Sequence, residues 1–500
     1  MNAAHAHQML KKIFTIDLRT LSLFRISLGF FILVDLAFRS RSITEHYGAQ
    51  SIVGLRTVNR SLADIGSWSL YGLFEGNIVW VILLFFITGL AAAALLVGYK
   101  TRYALVALLI LIISLHHANH VILQGGDTLL RVLLIIALFL PLNHHWSVER
   151  ISNPEHLDAA AIYTPWTVVA LIQGGLFYFF AVQHKTGPEW YDGTALYYVL
   201  SHYEHARYLG TQLVEHFPSA LMPLTYIVLG LQWCSLCILF SPYKTVFIRG
   251  MAIIAFTLMH ICMGLMLHIG WFSLISIVQI LLFVPTQWWE TALGIRICAC
   301  FESCSRWVRT FFEIKPRDYA PTAKATYLST ALAVCFFIHV LISQSLESPL
   351  LAQHSPKQLT KYVSNFGEAL GIHQRWALFT EDTRERFWIA VVAKYSDGRN
   401  LDLLRGGVSY DPELQSKNYY PYTHFRDQKF FSSIRRSRYS YLYKKTGSYL
   451  CAKARQYALK DGRAVGVSLT YHFENTPVPG TTEITNKRSV VLLSGICLTK

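Results

Sequence analysis

The stretch RYALVALLILIISLHHANHVILQGGDTLLRVLLIIALFLPL, residues 102–142, decides how the rest of the chain is read. It holds two apolar runs, 102–123 and 126–142, each close to the length of a helix that crosses a bilayer. Between them lies Gln124-Gly125-Gly126-Asp127, a polar turn that sends the chain straight back. Composition agrees with a membrane protein: residues are 53% hydrophobic and 14% aromatic but only 15% charged, below the usual share in soluble domains.

Working outward from this hairpin, further apolar runs lie at 20–39, 77–98, 162–184, 219–241, 246–268, 271–287 and 326–345. The expected fold is therefore mainly α, a polytopic bundle of about nine spans over residues 1–345, with the fourth and eighth spans short. The N-terminal Met1 to Arg19 segment shows no compact apolar region with a small-residue cleavage site, so no removable signal peptide is expected.

Basic residues outnumber acidic ones, 45 to 30, but they gather in short loops and in the last third, which argues for membrane orientation over nucleic acid. With a cytosolic N-terminus, the inner loops hold Lys100 and Arg102, Arg150, Lys244 and Arg249, then Arg296, Arg306, Arg309, Lys315, Arg317 and Lys324. The positive-inside rule is met at each. The first outer loop dissents, because Arg39, Arg41, Arg56 and Arg60 flank a stretch, 57–74, that reads as an amphipathic surface helix. In a bacterial inner or plasma membrane an odd span count places residues 346–500 outside, in the periplasm.

That outer portion reads as an α+β domain. Strands are expected at 386–395, 465–473 and 489–498, a turn at Asp397-Gly398, and helix over 424–460. Arg435, Arg436, Arg438, Lys444 and Lys445 in the helical part are candidates for lipid-phosphate contact, a solvated face being the plain alternative. Of nine cysteines only Cys451 and Cys497 fall in this domain, where they either form one disulfide or stay unpaired. Cys298, Cys300 and Cys304 lack the further ligands a tetrahedral metal site needs and read as reduced thiols. No phosphate loop, dinucleotide fingerprint, zinc-protease or nucleophile-elbow motif occurs in the sequence.

Ionisable groups inside spans are costly, so their positions carry the functional signal. The third span ends in His116, Asn119 and His120, with His116 and His120 on one helix face, and the fourth opens with Asp127 and Arg131, spaced to pair. The fifth ends in His184-Lys185, just ahead of Trp190, and the seventh carries His260 and ends at His268. These groups converge on the outer half of the membrane, as acid–base chemistry requires. Burial among other cations would make Lys185 a neutral base, with His120 donating to an anionic intermediate; a snorkelling interfacial lysine is the plain alternative. A metal on His116, His120 and His260 competes, but carboxylate or thiolate partners are missing and Lys185 would repel the cation, so no metal is expected.

The order of motifs resembles the HTTM family, the vitamin K-dependent gamma-carboxylase-like membrane proteins. The resemblance is carried by Leu23-Phe24-Arg25-Ile26 with Gly29 and Asp35, Asn119-His120 to Asp127, Phe139-Leu140-Pro141-Leu142 leading to Trp146-Ser147, and Lys185 to Trp190 with Gly193. Gln374-Arg375-Trp376-Ala377-Leu378-Phe379 matches the segment that opens the outer domain of bacterial members. The resemblance implies Lys185 as the base that deprotonates a reduced quinone, His120 as the assisting histidine of the carboxylation step, and His260 as the later family histidine. With the polar groups that converge on that side, His116, Asn119, Asp127, Arg131, Trp190 and His268 are expected around the cofactor. Where the carboxylase branch has a double lysine, this chain has His184-Lys185.

Two readings follow. In the first, the chain is a quinol-using carboxylase or oxidoreductase whose partners are lipid, a quinone and a secreted peptide or protein. In the second, it is a non-catalytic scaffold or maturation factor whose outer domain docks a secreted partner. A transporter is the weaker third, because no repeated pair of broken helices is seen.

Overall fold

The computed structural model describes residues 3–53, 68–149, 160–202, 204–314, 327–352, 355–380, 383–411, 421–422, 424–458 and 462–497. Six described helices are long and apolar enough to cross a membrane: α1 (Leu18–Ser40), α2 (Ile78–Val97), α3 (Thr101–Ala118), α5 (Pro165–Gln183), α7 (Thr245–Met266) and α10 (Tyr327–Glu347). The fourth, sixth and eighth expected spans form the shorter α4 (Gly125–Leu138), α6 (Pro218–Trp233) and α8 (Phe272–Ile280). The 14 residues of α4 rise only about 21 Å, less than a bilayer core. Six long apolar helices thus stand where nine spans were expected.

Local chemistry sets the helix limits. Asp17 caps α1 by accepting from the Arg19 backbone N–H, and Asn77 caps α2 in the same way toward Val79. Gly98, at φ +76°, takes the left-handed conformation that ends α2 and lets the chain reverse into α3. At the start of α4, Gln124 and Asp127 form a reciprocal capping box.

Two residues of the opening motif hold α1 on α2. Gly29 lies so near that an added Cβ would sit 2.9 Å from the Ala92 carbonyl oxygen, which only a small residue permits. Arg25 is fully buried and donates to the carbonyls of Leu95, Leu96, Leu142 and Trp146, satisfying the open C-terminal end of α2 and the turn after α4.

Past α7 and α8 come two amphipathic helices, α9 (Ala292–Phe311) and α11 (Lys357–Ala369), one on each side of α10 in sequence. The C-terminal domain is an antiparallel sheet of order β3-β2-β1-β4-β5, with β1 Glu385–Tyr395, β2 Asn400–Asp402, β3 Val408–Ser409, β4 Ala464–Asn475 and β5 Thr485–Ile496. The expected strands are present, and Gly398 at φ +87° makes the turn between β1 and β2. Helices α12 (Phe425–Ile434) and α13 (Tyr443–Arg455) occupy the expected helical stretch. They are tied to the sheet by Tyr471 Oη donating to Phe431 O and Tyr395 Oη to Ala454 O. Cys451 and Cys497 are joined in a disulfide, which resolves the open choice at that pair. The surface-helix expectation at 57–74 falls mostly outside the described residues, as do Arg56, Arg60, Arg150, Lys315, Arg317 and Lys324.

Candidate functional site

The ends of α1, α3, α5, α7 and α10 gather on the side where the C-terminal domain sits. Arg426 of α12 donates to Ile122 O just past α3, Gly187 N donates to Thr380 O, and Arg375 lies 3.7 Å from Glu347 at the end of α10. Between these ends lie two polar clusters of opposite character.

The first is a buried ion network. Arg39 Nε donates to Asp35 at 2.6 Å, Nη1 to Tyr47 Oη at 2.7 Å and Nη2 to Asp127 Oδ1 at 2.5 Å. Arg426 reaches in from the C-terminal domain to Asp127 Oδ2 at 2.7 Å and Asp35 Oδ1 at 3.0 Å. The two acids raise the Arg426 pKa despite its burial. Arg131 does not pair with Asp127 as its spacing predicts. Asp127 turns back to cap α4 and meet Arg39 and Arg426, while Arg131 donates to His116 Nδ1 at 2.7 Å and Gly371 O at 2.6 Å. Because a guanidinium can only donate, His116 Nδ1 accepts from Arg131, while Nε2 lies 3.3 Å from Arg39 Nη2 and 3.5 Å from Asp127. His116 therefore bridges Arg131 to Asp127.

Asp35, His116 and Asp127 bring ligand atoms within 4.8 Å of one another, the spacing of a metal cluster. Their oxygens, however, already accept from two guanidinium groups, and a cation there would face Arg39 and Arg426 at contact distance. The donor set fits an arginine clamp and not a metal.

The second cluster surrounds Lys185. Its ammonium donates to Ala181 O at 3.2 Å and lies 5.1 Å from the Trp190 ring centre, and no carboxylate is within ion-pair distance among the described residues. Burial alone lowers its pKa to about 8. Trp190 is fixed by donating Nε1–H to Phe379 O at 2.9 Å. The segment 371–379 runs in among the helices. Gln374 pairs with Gln173, the ninth of the 19 residues of α5, and Trp376 packs edge-on against Phe177 at 4.6 Å. Backbone without regular structure is tolerated there because protein surrounds it.

The histidines part company. The α3 helix stops at Ala118, and Asn119 at φ −149° turns His120 away from His116, so the two share no face. His120 Nε2 lies 3.4 Å from Tyr441 Oη under the C-terminal domain, and Asn119 Nδ2 donates to His46 O. His260 Nε2 meets Tyr178 Oη at 2.9 Å, its ring 6.0 Å from Phe272, and the His268 backbone N–H donates to His205 O. Among the described residues no hydrogen bond or ion pair links Lys185 to His120 or His260.

A further acid escaped the sequence reading. Glu204, buried where α12 meets the helical bundle, accepts from the Ser432 hydroxyl, and its Oε2 lies 3.8 Å from His205 Nε2. Burial pushes its pKa up to about 7. A lone glutamate in a short loop carries no sequence signal of that kind, nor does Arg426 among many basic residues.

This fold defines a polytopic helical membrane protein with a sheet-containing domain clamped onto one end of its bundle. The chain belongs to the HTTM family: the HTTM domain matches residues 14–288, more than half the sequence, from the start of α1 through α8. With its six long apolar helices, that membership makes it an integral membrane protein related to the vitamin K-dependent carboxylases. No curated protein and no solved structure matches the chain.

Proposed function

We propose that the chain is a vitamin K-dependent gamma-carboxylase-like membrane enzyme in which Lys185 is the base. The observation that carries the reading is a buried lysine with no acidic partner among the described residues, its pKa brought down to about 8. A cation that contributed only to stability would be expected to hold a counter-ion, as Arg39 does.

A reduced quinone fits the neighbourhood by one test, the buried polar atoms left without partners beside an aromatic wall. Trp376 Nε1 and His260 Nδ1 are such atoms, next to Phe177 and Phe272. These residues would hold the ring, and when bound it supplies the reducing electrons for oxygen chemistry. Neutral Lys185 Nζ then accepts a proton, Trp190 fixes the direction of the ammonium formed, and His120 and His260 hold or donate protons to developing negative charge. His116, Asp127 and Arg131 are consumed by their own hydrogen bonds and act by positioning α3, α4 and Gly371. The reading includes a cytosolic N-terminus in a bacterial inner or plasma membrane, nine membrane passes with the short helices included, the outer domain in the periplasm, and a secreted peptide or protein as acceptor.

The test is oxygen uptake and epoxide formation by the purified protein supplied with a hydroquinone. Wild type turns over and Lys185→Ala does not. Equal turnover in both sinks the role of Lys185, and no turnover in a folded wild-type sample with several quinones favours the scaffold reading. The scaffold has its own support in the arginine clamp that fixes the outer domain to the bundle.

A further inference from the structure

Helices α9 and α11 each divide into three faces along their length. On α11, Leu359, Tyr362 and Phe366 are 46%, 64% and 56% exposed on one face, about a third of a turn from a polar face bearing Lys357, Lys361 and Asn365. The third face carries buried Gly367, where an added Cβ would lie 3.2 Å from His339 Nε2 of α10. On α9, Leu293, Cys300, Cys304, Trp307 and Phe311 recur at helical spacing and are exposed, with Arg296, Ser303 and Arg306 toward the polar side. Its inner face packs Phe301 on Trp146 at 5.0 Å, and Arg309 donates to Ser147 O.

A helix that is half apolar yet uncovered, with charges along a flank of the apolar stripe, has the form of one lying in a water–lipid boundary. Position decides the occupant. The α9 contacts lie at the α2–α3 turn, where Ser147 Oγ donates to Gly98 O. The α11 helix leads into Gly371, which lies against Ile113 and Arg131 at the other end of α3. From Thr101 at that turn to Ile113, α3 rises about 18 Å, more than half the thickness of a hydrocarbon core. The apolar face of α11 is also continuous with the exposed side of α10, where Ile338 and Ile342 face outward.

We propose that α9 and α11 are interfacial helices seated in the two opposite leaflets, their apolar stripes immersed in phospholipid acyl chains, so that they bracket the bilayer and set the height of the 371–379 segment within it. This assignment stands apart from the catalytic reading. The experiment uses the purified full-length protein in phospholipid nanodiscs, with alkylation by a water-soluble maleimide mapped by peptide mass spectrometry. Native Cys304 and Tyr362→Cys lose alkylation, while Ser303→Cys and Asn365→Cys, one face away, are modified. A phospholipid with a photoreactive acyl chain then gives adducts on the peptides holding Trp307 and Phe366. Equal alkylation within either pair overturns the proposal, and so does protection without lipid adducts, which would mean that a second copy covers the stripe.

Discussion

Arg39 and Lys185 are both buried cations at the ends of long apolar helices, yet three nitrogens of Arg39 each find a partner while Lys185 has one carbonyl and a ring face. In the first region, charge is neutralised where it is buried, and the network spans the bundle and the C-terminal domain. In the second, burial is left uncompensated, and the lysine responds by holding its proton less tightly. The contrast separates a cluster that keeps two parts of the chain together from one whose protonation is free to change near neutrality.

The hardest way to break the first region is to remove the acid that both arginines share. Asp127→Ala leaves Arg39 and Arg426 buried with Asp35 alone, and removing one partner of such a network costs about 3–5 kcal/mol. The expected outcome is a large fall in the apparent thermal midpoint in detergent, with earlier proteolysis of the outer domain. Asp127→Asn, which keeps the shape without the charge, falls between. An unchanged midpoint in the alanine variant would show that the network is no clamp.

The same experiment at Lys185 should go the other way. Lys185→Met replaces an unpaired buried cation by an apolar side chain of similar length, so the midpoint should equal or exceed that of the parent even as turnover is lost. The sign with pH follows from the shift. Burial lowers the native pKa from 10.5 to about 8, so between these values the unfolded chain holds more protons than the native one and stability rises with pH. The methionine variant loses that slope. Turnover of the parent rises through pH 8 as Nζ becomes neutral, and a flat profile there would remove Lys185 from the proton step.

Much of this arrangement was legible in the sequence because it rests on local pattern. Apolar run length placed each helix of the bundle, and alternation placed β1, β4 and β5, since both periodicities are written in neighbouring residues. Span count was not, because whether 14 residues such as α4 cross a membrane depends on what surrounds them. The convergence of histidines failed at one residue: Asn119 breaks α3, and a helix-face argument cannot see past the end of its helix. Arg426 lies 299 positions from the Asp127 it binds, a distance at which pattern carries no pairing information.

Glu204 sharpens the comparison with the smallest effect, since it is the acidic counterpart of Lys185: buried, with Oε2 lacking a hydrogen bond. Desolvation raises its pKa from 4.5 to about 7, while Ser432 pulls the other way by donating to Oε1. A raised native pKa means the carboxyl stabilises the fold fully below its unfolded value and loses that contribution as pH rises through about 7. Glu204→Gln stays neutral and keeps an oxygen for Ser432, so its thermal midpoint should match the parent near pH 4 and exceed it near pH 8 by the equivalent of about 3 kcal/mol. A midpoint that drops at both pH values would mean the ionised carboxylate is itself paired, with His205 at 3.8 Å or half-buried Lys429 as its partner, and the junction between α12 and the bundle would then be a second clamp.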